Sequence, residues 1–432
     1  MFRKLSKNMP ILLFFSFLFL FILSCGDKEG PGKDLEEKVQ KLSDRVDELA
    51  KQVETLSEQI KAIVEKPVPE VSEKPLKAGF VYVGPVGDYG WSHAHDIGRK
   101  FAEQKLPWLE SVYIESVAEA DSARIIDRFI QEEKCDVVFT TSFGYMDDTL
   151  KAGMKYPDKK FMHCSGFKQT KNVGTYFADL YQAYYLNGLM AGALTQSNKI
   201  GYVAAFPIPE LVRHINALAL GIKAVNPNAE IHVRWTYAWY GPDKAREAAE
   251  SLIAEGCDAL AFTEDTPAVI EVGQEHTEKG KQIYTFSHYS PMQAYGKDSV
   301  VSGQLVDWGV MYEKILKDLH DGTWKSDDLW WLVAEKAVIL GGSFDAPINP
   351  KFIDALKAVQ VDTNDFGSVS VYDLVMKRYD QMKKGTDLFD PYTGPIADNT
   401  GKIRIKAGER ASKGDLLSIM YYVDNVAGSI PK

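Results

Sequence analysis

The chain has 432 residues, 25% of them charged and 45% hydrophobic, with 33 glycines and 19 prolines. That balance excludes a disordered or fibrous protein and predicts more than one globular domain. Lys and Arg number 50 against 60 Asp and Glu, a formal net charge of −10, which argues against a broad nucleic-acid-binding surface, and four cysteines without a Cys-x-x-Cys spacing exclude a disulfide scaffold and leave a structural zinc site unsupported.

Arg3, Lys4 and Lys7 precede an apolar run from Pro10 to Leu23. The run is short for a membrane span and has the layout of a signal peptide over residues 1–24. Ser24 stands directly before Cys25, an arrangement similar to a lipobox with Ile22 where leucine is commonest. Cys25 is therefore the expected lipidation site, anchoring the chain to a membrane on its extracytoplasmic or periplasmic side. Removing the signal takes three cations and no acid, leaving 47 basic against 60 acidic residues.

A short linker, 25–34, leads into apolar residues at Leu35, Val39, Leu42, Val46, Leu49, Val53, Leu56, Ile60 and Ile63. Their spacing alternates four and three, which predicts a coiled-coil stalk over 35–66. β-branched residues at one core position and leucine at the other favour a parallel two-stranded coil, and hence a homo-oligomer. About 30 residues at 1.5 Å each make a stalk of about 45 Å. Residues 67–76 hold Pro67, Pro69 and Pro75 and read as a semi-rigid linker.

From Lys77 onward short apolar runs alternate with helical stretches. Strands are expected at 78–83, 112–115, 137–141 and 161–165, and helices at 92–104 and 121–133, the pattern of a parallel sheet covered on both faces. The landmarks recur 122 residues later. Lys77, Gly79, Val81 and Pro85 return as Lys199, Gly201, Val203 and Pro207; Glu133, Cys135 and Asp136 return as Glu255, Cys257 and Asp258; Thr141 and Ser165 return as Thr263 and Ser287. The reading is two similar α/β lobes that clamp a small molecule between the carboxyl ends of their sheets. Lobe one takes 77–178 plus about 306–335, and lobe two takes 179–305 plus about 336–432.

Several stretches of this body, Gly84 to Ser92, Thr140 to Asp147, Pro207 to Glu210 and Asp321 to Trp331, resemble the basic membrane protein family of substrate-binding lipoproteins. The resemblance runs from about Lys77 to the end and implies a periplasmic-binding-protein type I fold, two Rossmann-like lobes joined by a hinge with three crossovers, serving the permease and ATPase of an ABC importer. It implies purine nucleosides and related purines as ligands, with flavins in some relatives. Asp88 matches the acid of the family's Asp-x-x-Phe-Asn motif, but Trp91 and Ser92 stand where Phe and Asn are usual. The loop that contacts ribose in nucleoside-binding relatives corresponds to Phe286 to Tyr289, which has no acid. A free base such as adenine is therefore favoured over a nucleoside.

Independently of the resemblance, loops after strand ends supply the cleft candidates. In lobe one these are Asp88, Trp91, Ser142, Phe143 and Tyr145. In lobe two they are Phe206, Glu210, Trp239, Asp265 and Ser287, with Asp307 at a crossover. Aromatic faces and a few carboxylates suit a flat heteroaromatic ligand whose N–H groups need acceptors. A sensor that presents its closed form to a signalling partner needs the same clamp. Enzyme readings are weak: His93 and His95 point apart on a helix, His163 and Cys164 face opposite sides of a strand, and Gly341 to Ser343 lacks the context of a nucleophile elbow. No cofactor, metal site, helix-turn-helix or phosphate-binding loop is expected.

Overall fold

The computed structural model describes residues 33–64 and 75–431. The expected signal peptide, Cys25 and most of both expected linkers lie outside the described residues. The chain divides into two compact units, residues 1–71 and 72–432.

In the first unit, α1 (Lys33–Val64) is one helix of 32 residues. Leu42, Val46, Leu49, Val53 and Leu56 are between 54% and 68% exposed, so the heptad seam lies open along it. Glu37 and Lys41, one turn apart, pair at 2.9 Å.

The second unit begins with β1 (Leu76–Val81), α2 (Trp91–Lys105), β2 (Leu109–Ile114), α3 (Ser122–Gln131), β3 (Val137–Thr140), α4 (Met146–Lys155), β4 (Lys160–Cys164) and β5 (Val173–Ala178). It continues with α5 (Tyr181–Leu194), β6 (Lys199–Ala204), α6 (Pro209–Val225), β7 (Glu230–Trp235), α7 (Pro242–Ala254), β8 (Ala259–Phe262), α8 (Ala268–Glu278), β9 (Tyr284–Tyr289) and β10 (Val300–Val306). Then come α9 (Trp308–His320), β11 (Asp328–Trp331) and β12 (Val338–Leu340). The first sheet has the order β11-β5-β4-β3-β1-β2, and the second β12-β10-β9-β8-β6-β7. All neighbours are parallel except β10 and β12. Every residue of β3 and β8 is buried, as expected for parallel strands covered on both faces. On α3 the stripe Ile125, Ile126, Phe129 and Ile130 is buried and closes one such face.

The chain passes between the sheets three times: after β5, between β10 and α9, and between β11 and β12. The α/β architecture of two similar parallel sheets agrees with the expectation. Helices α5 and α6 meet through glycines. A Cβ on Gly188 would lie 2.2 Å from the Leu218 carbonyl, and one on Gly221 would lie 2.1 Å from that of Tyr185, so no larger residue permits this approach.

The repeat is visible in backbone detail. Gly79 pairs with Val138 and Gly201 with Leu260. Lys134 and Gly256 both adopt left-handed conformations, φ 60° and 103°, just before the buried Cys135 and Cys257. The frame does slip further along. Val137 pairs with Lys160 but Ala259 with Tyr284, so the structural partner of Ser165 is Tyr289 rather than Ser287. Ser165 and Tyr289 share a left-handed φ, 63° and 59°.

After β12 the chain forms α10 (Pro350–Ala358), the hairpin β13 (Gln360–Thr363) and β14 (Gly367–Ser370), and α11 (Val371–Met382). Residues 390–427 then run along the second lobe, where the carbonyl of Tyr421 accepts from Asn216 (2.8 Å) and that of Asn425 from the Ile231 N–H (3.0 Å).

Candidate functional site

A cavity of about 340 Å³, counted to its open mouth, lies between the two sheets. Lobe one lines it with Val83, Trp91, Thr141, Ser142 and Phe143, and lobe two with Ile208, Glu210, Trp239, Asp265 and Tyr289. Each follows or ends a strand: Val83 after β1, Thr141 to Phe143 after β3, Ile208 and Glu210 after β6, Trp239 after β7, Asp265 after β8, and Tyr289 at the end of β9. The carboxyl ends of two facing parallel sheets therefore make the site.

Trp91 heads α2, and its ring is held edge to face by His95 (4.5 Å), Tyr289 (4.9 Å) and Trp308 (5.4 Å). Its indole N–H donates to the Thr141 carbonyl. Phe143, 37% exposed, and Trp239, half-buried beside Phe206 at 5.0 Å, present freer faces from opposite lobes.

The carboxyl groups of the cleft sit where charge is costly. Burial pushes Glu210 up to about 7 and Glu264 up to about 8. Burial pushes Asp88 up to about 6 against three backbone N–H donors, and raises Asp265 further, with the Asp88 charge as the next cause. Tyr289 donates its hydroxyl to Glu210 at 3.4 Å, and the Trp91 N–H donates to Asp265 at 3.1 Å.

Of the sequence-derived candidates, Trp91, Ser142, Phe143, Glu210, Trp239 and Asp265 line the cavity. Asp88 lies beside it and caps a turn, accepting from the N–H groups of Gly90 (2.7 Å), Ser92 (3.2 Å) and His93 (3.0 Å). Phe206 backs Trp239. Three others are engaged elsewhere. Tyr145 is buried and donates to the Val117 carbonyl (2.6 Å), Ser287 donates to the Gly342 carbonyl (3.1 Å), and Asp307 caps α9 through the Gly309 N–H (2.9 Å). Ile208 and Tyr289, in the cleft loops Phe206 to Glu210 and Ser287 to Tyr289, also line it, as do Val83 and Thr141, which precede the loops that the sequence marks. Thr141 carried a signal, as a repeated landmark at a strand end.

Residues 76–372 match the family described as ABC transporter substrate-binding protein PnrA-like, Bmp. The chain belongs to the Bmp family. A protein of Brucella abortus named a purine-binding protein is 34% identical over 363 residues, covering 84% of this chain and 95% of that one. A protein of Haloferax volcanii with the provisional name ABC transporter glucose-binding protein is 41% identical over 255 residues, covering 59% of this chain and 64% of that one. Among solved structures, an ABC transporter solute-binding protein from Aeropyrum pernix superposes with a TM-score of 0.61 at 16% identity, covering 72% of this chain and 92% of that chain. As a Bmp protein the chain is a substrate-binding component of an ABC transporter, a solute binder rather than an enzyme. It works outside the cytoplasm with a permease and an ATPase as partners.

Proposed function

We propose that this Bmp protein captures a free purine base, adenine first, by closing its two lobes over the ring and releasing it to the permease. The observation that carries the reading is the pairing, across one cavity, of two free aromatic faces, Phe143 and Trp239, with two carboxyls, Glu210 and Asp265. Stacking accepts the flat ring, and the carboxyls accept from its amino and ring N–H groups. The purine-binding name of the Brucella abortus relative supports the same reading. A hexose is a poorer fit: its hydroxyls each need donors as well as acceptors, and the lining holds no amide or cation. The hydroxyls of the lining already donate within the protein, Thr141 to the Val81 carbonyl, Ser142 to Glu119 and Tyr289 to Glu210, and the Trp91 indole N–H to the Thr141 carbonyl, which leaves the Trp239 indole N–H. Cys25 serves as the lipid anchor in this proposal, and α1 pairs with a second copy through its open seam.

Calorimetric titration of the purified chain with adenine, adenosine and glucose tests the reading. Adenine is expected to bind at micromolar Kd or tighter. Tight binding of adenosine with none of adenine sinks the base, and binding of glucose alone sinks the purine class.

A further inference from the structure

The turn ahead of α2 touches lobe two at three consecutive residues. The Tyr89 ring meets Tyr295 edge to face at 5.2 Å. The Gly90 carbonyl accepts the Ser290 hydroxyl at 3.0 Å, and the Trp91 N–H donates to Asp265 at 3.1 Å. Gly90 and Ser290 are both buried, yet neither lines the cavity. Their shared surface exists because the lobes meet there.

Space at this contact is fully used. A Cβ on Gly90 would stand 2.5 Å from the Asp265 Cα and 2.9 Å from its Cβ. Those are atoms of the opposing main chain and its first side-chain carbon, so no rotamer change relieves the clash, and any side chain at 90 pushes the lobes apart. The turn is held ready from within lobe one. Asp88 takes the N–H groups of Gly90, Ser92 and His93 and keeps Tyr89 in a left-handed conformation, φ 59°.

We propose that residues 89–91 with Asp265, Ser290 and Tyr295 form an interlobe clasp, in which Gly90 and Ser290 are positioning residues that set how long the closed clamp retains its ligand. The proposal rests on the clamp reading above and adds where closure is secured. The free chain exchanges between clasped and open forms and ligand enters the open one, so the clasp governs escape more than entry.

The test is the association and dissociation kinetics of adenine on the full chain, compared with Ser290→Ala and Gly90→Ala. Loss of one buried hydrogen bond in Ser290→Ala is expected to raise the dissociation rate about 2- to 12-fold with the association rate and thermal midpoint unchanged. Gly90→Ala is expected to raise it further. Unchanged dissociation in both variants overturns the clasp, as does a loss confined to association. Small-angle scattering reads the same contact without ligand: Gly90→Ala is expected to have the larger radius of gyration, and equal values overturn the proposal. A wild-type chain that ignores adenine refutes the ligand reading instead, and leaves the scattering comparison to decide the clasp.

Discussion

Asp88 and Asp265 approach each other from different lobes, so under the proposed clamp mechanism their protons are tied to closure. Burial raises both in this structure, Asp88 to about 6 and Asp265 well above the ordinary value. When the lobes part, Asp265 regains water and moves toward the ordinary value of about 3.9. The closed form therefore holds more protons than the open one. Its advantage is full at acid pH and is lost as pH rises through the raised values, from about 6 upward. A ligand N–H on Glu210 favours its ionised form and opposes this, whereas Asp265 accepts its ligand N–H through the carbonyl oxygen that it keeps when protonated. Adenine affinity is expected to fall by up to about tenfold per pH unit for each proton taken up, measured by calorimetry across the range. Asp265→Asn keeps an oxygen for the Trp91 N–H and is expected to flatten that profile. An unchanged slope in Asp265→Asn removes the pair as its source.

At the same scale, Trp91 and Trp239 are expected to separate binding from folding. Trp239 is half-buried with a free face, so Trp239→Ala should lose a stacking contact of about 1–3 kcal/mol, weakening adenine by about 5- to 150-fold with little change in stability. Trp91 is enclosed by His95, Tyr289 and Trp308, and Trp91→Ala should cost about 3–5 kcal/mol of stability through the cavity it leaves. Denaturant titration beside calorimetry checks both.

At the scale of elements, the strands were legible because buried parallel strands read as continuous apolar runs, and the repeat was legible because strand starts need the same residues twice. Gly79 and Gly201 show why. A Cβ on Gly79 would lie 2.8 Å from the Phe129 ring, and one on Gly201 would lie 2.6 Å from Leu260. Sequence spacing could not reveal that the second lobe inserts two residues before β9, since loops absorb insertions without a pattern. The site followed the same division. Strand ends located the cleft loops, but whether a side chain in such a loop turns to the cavity, as Ser142 does, or to the core, as Tyr145 does, depends on the turn that follows and has no periodic signature. The seam of α1 is plain in sequence and open in the structure. Deletion of 35–63 is expected to lower the oligomeric state in analytical ultracentrifugation without altering adenine affinity. The same sedimenting species before and after deletion rules out pairing through the seam.

At the scale of the whole second unit, the lobes and the C-terminal run are tied at one cation. Arg213 on α6 pairs with Asp179, the residue at the first crossover, at 2.8 Å. Its guanidinium also donates to the Leu416 carbonyl at 2.7 Å and lies 5.1 Å from the centre of the Trp330 ring on β11. Asp179 in turn donates its N–H to the Trp331 carbonyl at 3.0 Å and meets His214 at 3.1 Å. Burial works to raise the Asp179 carboxyl, but Arg213 and His214 outweigh it and hold it below the usual range. Removing the cation therefore leaves a buried, ionised group without its main partner. Arg213→Ala is expected to lose about 3–5 kcal/mol in denaturant titration. Arg213→Lys should recover little of it, because an ammonium cannot serve Asp179, the Leu416 carbonyl and the Trp330 face at once. A loss under about 1 kcal/mol, the scale of an exposed ion pair, would show that the hinge does not depend on this tie.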